Sequence, residues 1–217
     1  MNYKPSLWLL ALTTALISCQ KEPDWAEQSN EYLVYTQKDA FFEAGRYENY
    51  FIADSILLID DAEEPRYLKG TEAEKIISRV ALNMERAGYH RTDRKEEADL
   101  GLQLSYIFDT HYFTSYPYPS YWWWGYPGYW DPYYWGSYWV GWDYSFPISY
   151  SYSENSLLGE MVDLTARQEK GSKLNVVWNM YINGEVSGYR HFDSNRMQRG
   201  IDQAFYQSRY LNRNTNP

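Results

Sequence analysis

The chain of 217 residues has a single cysteine, Cys19. A disulfide needs two, so no internal bridge can staple the fold and stability must come from a packed core. Histidine is nearly as scarce. His90, His111 and His191 are scattered and lack the close spacing of a metal-ligand set. There is no G-x-S-x-G elbow, no phosphate-binding glycine-rich loop and no H-E-x-x-H. No catalytic residue, cofactor or metal is therefore expected, and the chain is read as a non-enzyme. Long apolar runs are missing too: Leu7–Ile17 falls short of the roughly 20 residues that span a bilayer. Positive charge is the last shortage, with 20 Lys+Arg against 29 Asp+Glu and a net charge of −9. An acidic chain repels nucleic acid and anionic headgroups, so no nucleic-acid partner is expected.

The N-terminus is where the chain has something to offer. Lys4, the apolar run and then Leu16-Ile17-Ser18-Cys19 resemble a secretory signal ending in a bacterial lipobox. That pattern implies a signal peptide at 1–18, cleavage before Cys19, and acyl chains of the palmitate kind on its thiol and freed amine. Removing 1–18 takes Lys4 and no acid, leaving a formal charge of −10. The expected membrane partner is reached through those acyl chains, at about 0.8 kcal/mol per buried methylene, rather than through a basic patch. Residues 19–29 read as a tether, 30–210 as one domain and 211–217 as a tail.

Hydrophobic periodicity supplies the elements. Residues 32–36, 47–52 and 56–59 read as strands. Asp60-Asp61-Ala62-Glu63-Glu64-Pro65 reads as a solvated loop, since its spacing matches no calcium loop. Thr71 and Glu74 read as a capping box, followed by the helical stripe Ile77, Val80, Ala81, Met84 and Ala87, with Gly88 as a left-handed stop. Residues 100–108 alternate as a strand with one polar face, 157–167 form another, and Val176, Trp178, Met180 and Ile182 alternate along a further strand. A second helix is expected at 195–208, although Gly200 inside it costs about 1 kcal/mol relative to Ala. The order points to an α/β (α+β) domain: a mostly antiparallel or mixed sheet with two helices on one face, plus a long aromatic insertion at 109–152. Met84, Val80, Leu102, Leu104, Val177 and Phe205 are expected in the core.

Between Tyr106 and Tyr152 the chain packs 13 Tyr, 7 Trp and 3 Phe into 47 residues, with no Lys or Arg. Tyr-Trp pairs begin at 121, 129, 134 and 138, at unequal intervals, so this is biased composition rather than a repeat. Recurrent Pro and Gly break regular elements. Four readings stay open: a disordered insertion, a membrane-interface loop, a glycan- or protein-binding surface, and an amyloid-like segment, the last opposed by the Pro and Gly. The reading adopted is a projecting loop over 121–144, with Trp122, Trp123, Trp124, Trp130, Trp135, Trp139 and Trp142 as candidate binding residues at a membrane interface or partner surface. A glycan-binding lipoprotein is the alternative. A glycan-processing enzyme would need paired carboxylates, with Asp109, Asp131 and Asp143 as the suspects.

The stretches NEYLVYTQKDAFFEAGRYENYFIADSI, RVALNMERAGYHRTDRKEEADLGLQLSYI, MVDLTARQEKGSKLNVVWNMYING and GIDQAFYQSRYL resemble, in that order, a bacterial lipoprotein family, domain of unknown function 4136. The resemblance implies a small α/β lipoprotein of the cell envelope and supplies no catalytic residues. Cys19-Gln20-Lys21-Glu22-Pro23-Asp24 is similar to signals that carry lipoproteins to the cell surface. The expected location is the outer membrane, lipid-anchored, with the surface preferred and the periplasmic face left open.

Overall fold

A computed structural model describes residues 33–60, 66–108, 135, 139–146, 155–165, 172–183 and 193–213. Nine strands form one mixed sheet. They are β1 (Val34–Lys38), β2 (Asn49–Ile52), β3 (Ile56–Ile59), β4 (Arg66–Leu68), β5 (His90–Arg91), β6 (Leu100–Ile107), β7 (Trp139–Tyr144), β8 (Ser156–Asp163) and β9 (Ser172–Ile182). The main order is β1-β9-β8-β6-β2-β5. β6, β8, β9 and β1 pair antiparallel, whereas β2 and β3 both lie parallel to β6, at its start and its end. Two helices, α1 (Thr71–Arg86) and α2 (Ser194–Gln207), share one face of the sheet.

Helix α1 carries the expected stripe: Ile77, Val80, Ala81, Met84 and Ala87 are all buried, joined by Ala73 and Ile76. Its start differs from the sequence reading. The N-cap is Gly70 at φ +80, a backbone that Thr avoids, so Thr71 becomes the first helical residue and the capping box does not form. The other end is as expected. Gly88 is left-handed at φ +96; its N–H donates to Glu85 O and that of Tyr89 to Met84 O, which satisfies two terminal carbonyls. Helix α2 is capped by Asp193, whose carboxylate accepts from the Arg196 N–H at 3.1 Å. Gly200 now has a reason. A Cβ there would lie 2.6 Å from Cγ2 of Ile182, so the glycine lets α2 approach β9 closely.

The helix-side core gathers Leu100, Leu102, Leu104 and Tyr106 of β6 with Trp178, Met180 and Ile182 of β9 and both helices. Phe205 is only half-buried, tilted against Trp178 at 5.3 Å between ring centres. A bulge opposite Met161 and Val162 resets the alternation of β9. Val177 joins the helix-side core, and Val176 turns to the opposite face, away from Trp178. Two other expectations change. Asp60 is not solvated; it is buried and paired with Arg66. The alternating face of β6 is not half-exposed either: every residue from Leu100 to Ile107 is buried. Something covers the second face of the sheet.

Candidate functional site

The cover is the C-terminal end of the aromatic segment. β7 runs parallel to β9 along 172–176 and fills the lane that β1 occupies along 178–182. Where the two meet, the buried carboxylate of Asp39 ends β1. It accepts from the Ser145 hydroxyl just past β7, from the Phe41 N–H at 2.6 Å and from the Asn175 side chain. Burial alone would raise its pKa, but these bonds outweigh it and hold the acid below its ordinary value.

Trp135 and Trp142 lie over the sheet at 2% and 0% exposure, edge to face with ring centres 5.1 Å apart. With Leu57, Leu158, Val162, Leu174 and Val176 they form a second apolar cluster. Gly101 makes the room: a Cβ on it would fall 2.4 Å from Cζ3 of Trp135. Trp135 and Trp142 are core residues, not parts of a projecting contact surface, because the face of β6 that reads as polar is the surface they seal. Trp139 is in β7. Trp122, Trp123, Trp124 and Trp130, and Cys19, lie outside the described residues.

Beneath the rings a polar row crosses four strands in register: Gln37, Asn179, Glu160 and Gln103. The Trp135 Nε1–H donates to Gln103 Oε1 at 2.6 Å, and Gln103 Nε2 reaches Ser105 Oγ at 3.3 Å. The Tyr144 hydroxyl donates to Glu160 Oε1, while Glu160 Oε2 has no hydrogen-bond partner. Glu160 is 1% exposed, and burial pushes its pKa well above the ordinary 4.5, favouring the neutral acid. A carboxyl sealed this far presents nothing to a dissolved substrate. Its work is to seat Tyr144, as that of Gln103 is to seat Trp135. Sequence reading missed Glu160, although the signal was there: it alternates with Leu158 and Val162, so a strand burying those two must bury it as well.

The carboxylate suspects do not assemble here. Asp143 is exposed on β7, and Asp109 and Asp131 lie outside the described residues. His90 is exposed on β5, and His111 and His191 are likewise outside. Among the described residues no three His, Cys, Asp or Glu come together as a metal-binding group, and no helix is long and apolar enough to cross a membrane.

Residues 34–208 match the sequence family described as a domain of unknown function, DUF4136. The chain belongs to the DUF4136 family. A DUF4136 protein of Bacteroides thetaiotaomicron, solved by crystallography, is 46% identical, with a TM-score of 0.74 over 84% of this chain and 98% of that one. Two structures of the PelC dodecamer from Paraburkholderia phytofirmans align with 85% of this chain and 100% of theirs, at 11% and 10% identity and TM-scores of 0.38 and 0.39. No curated protein is significantly similar. The DUF4136 description carries no activity, so any function must be argued from the site.

Proposed function

We propose that this DUF4136 chain is a lipid-anchored protein of the outer membrane and a non-catalytic binding module. In this reading acylated Cys19 holds it to the bilayer, and its Trp/Tyr-rich segment offers rings to a membrane interface or an envelope partner. One observation supports the binding role above the others. The segment leaves the sheet at Phe108 and is fixed again at Trp135, where a buried indole, a hydrogen bond to Gln103 and then a whole strand hold it. Four tryptophans, Trp122, Trp123, Trp124 and Trp130, fall between those two fixed points. Rings that start from a rigid frame lose less entropy on binding than rings on a free tail.

The experiment has two arms. In cells, Cys19→Ala should leave an uncleaved or soluble form, and a mutant that is still processed and fully detergent-partitioning refutes the anchor. In vitro, the soluble Cys19→Ala chain should show a blue shift of tryptophan emission on adding phospholipid vesicles. Trp135, Trp142 and Trp178 are already buried and contribute none of it. No shift with vesicles refutes the membrane-interface role.

A further inference from the structure

On the opposite side of the sheet from the aromatic cover, the C-terminal parts of α1 and α2 enclose an open groove of about 900 Å³. Arg86, Arg199 and Arg209 line it, and all three are exposed. Among the described residues none of the three forms a salt bridge, those engaging Arg66, Lys75, Arg79 and Arg94 instead, although the Arg86 charge helps lower the pKa of Asp202. The groove's one carboxylate, Asp202, is already taken, by Arg79 Nε at 2.6 Å and Asn83 Nδ2 at 2.9 Å. Residues 194–213 hold four Arg and one Asp in a chain whose net charge is −9, so this segment is basic against an acidic background. Cations at helix C-termini are ordinary complements of the helix dipole. That accounts for Arg86 in the last turn of α1, but not for Arg199 in the middle of α2.

The remaining lining narrows the occupant. Tyr206 is 64% exposed, and the Arg209 guanidinium lies 4.9 Å from its ring centre. Gln203 and Asn212 add amides. Guanidinium forks match carboxylates in two-point contacts, amides suit hydroxyls, and an exposed ring suits the C–H face of a sugar. A lipid surface is flat, whereas this groove is concave and has the size of a small-molecule site. We propose that the groove binds an acidic saccharide, with uronate carboxylates on Arg86, Arg199 and Arg209 and a sugar ring on Tyr206. This deepens the binding-module reading but is independent of the aromatic segment and of the anchor.

Titration calorimetry of the full chain in detergent tests it with hexagalacturonate as the probe. Saturable binding is expected, weakened about tenfold or more when Arg86, Arg199 and Arg209 are changed together to Gln. Tyr206→Ala should weaken it as well, Arg94→Gln should not, and neutral maltohexaose should bind at least about tenfold more weakly. All five positions are exposed, so melting temperatures should match the parent and exclude unfolding as the cause. Absence of saturable binding overturns the proposal, and so does binding that survives the triple substitution. Equal affinity for dextran sulfate with no effect of Tyr206→Ala reduces it to general polyanion attraction and also overturns it. Binding of phosphatidylglycerol vesicles through the same arginines, without hexagalacturonate binding, makes this a membrane face and overturns it too.

Discussion

Deleting residues 118–146 should unfold the domain, whereas replacing 112–130 by an equal length of Gly and Ser should not. The deletion removes two fully enclosed indoles, Trp135 and Trp142, and the whole of β7. A buried Trp cut to Ala costs about 3–5 kcal/mol, so the pair alone is worth about 6–10 kcal/mol. That is most of the roughly 5–15 kcal/mol that holds a domain folded. It also strips the cover from Glu160 and Gln103 and opens the edge of β9 that β7 had filled. The Gly/Ser replacement keeps the loop length, so closure entropy is unchanged, and it removes none of the buried aromatic residues described here. Far-ultraviolet circular dichroism with thermal and urea melts reads both variants. A deletion that melts cooperatively near the parent temperature refutes the view that these rings are core. A replacement that fails to fold refutes the division between an anchored end and a presented middle.

Two further variants test the seat itself. Because burial raises the Glu160 pKa, the stability tied to its proton is complete below about pH 4.5 and is lost as pH rises through the folded value. Glu160→Gln should therefore gain on the parent as pH climbs from 4.5, by at most about 1.4 kcal/mol per unit in urea melts, and parallel profiles refute the assignment. Gly101→Ala drives a methyl into the Trp135 ring and should cost about 1–3 kcal/mol with a change in tryptophan emission; a loss under about 0.5 kcal/mol means the ring does not rest there.

What could be read from the sequence was what lies close together along it. The stripe of α1 was legible because Val80 and Met84 repeat at helical spacing and face one surface. Six of the nine strands were legible for the same reason, to within a few residues at their ends; the short β4 and β5, and β7 inside the segment read as a projecting loop, were not. The failures are tertiary. The alternation of Gln103 and Ser105 with leucines is what a half-exposed strand would show, and only the return of Trp135, 32 residues on from Gln103, buries them. The bulge that turns Val176 away from Trp178 leaves no mark in composition. Gly200 looked like a weakness of α2 until Ile182 was found against it. Thr71 and Glu74 had the right spacing for a cap, but Gly70 accepts a positive φ at less cost and takes the position.

The polar row makes sense of the aromatic cover. A sheet face of leucines would bury more easily, since amides and a carboxyl must find hydrogen bonds once water is gone. Such a face would also accept almost any ring, and this chain offers it many: Tyr-Trp pairs begin at 121, 129, 134 and 138. Hydrogen bonds discriminate where apolar contact does not. Gln103 Oε1 needs an indole N–H at one place, and Glu160 Oε1 receives a phenol hydroxyl at another, nine residues further along the covering segment. A slip of one residue in β7 would turn Tyr144 to the wrong face and leave Glu160 Oε1 without its donor in a dry core. The row thus trades some stability for a single seating. That fixes where the aromatic segment returns to the domain.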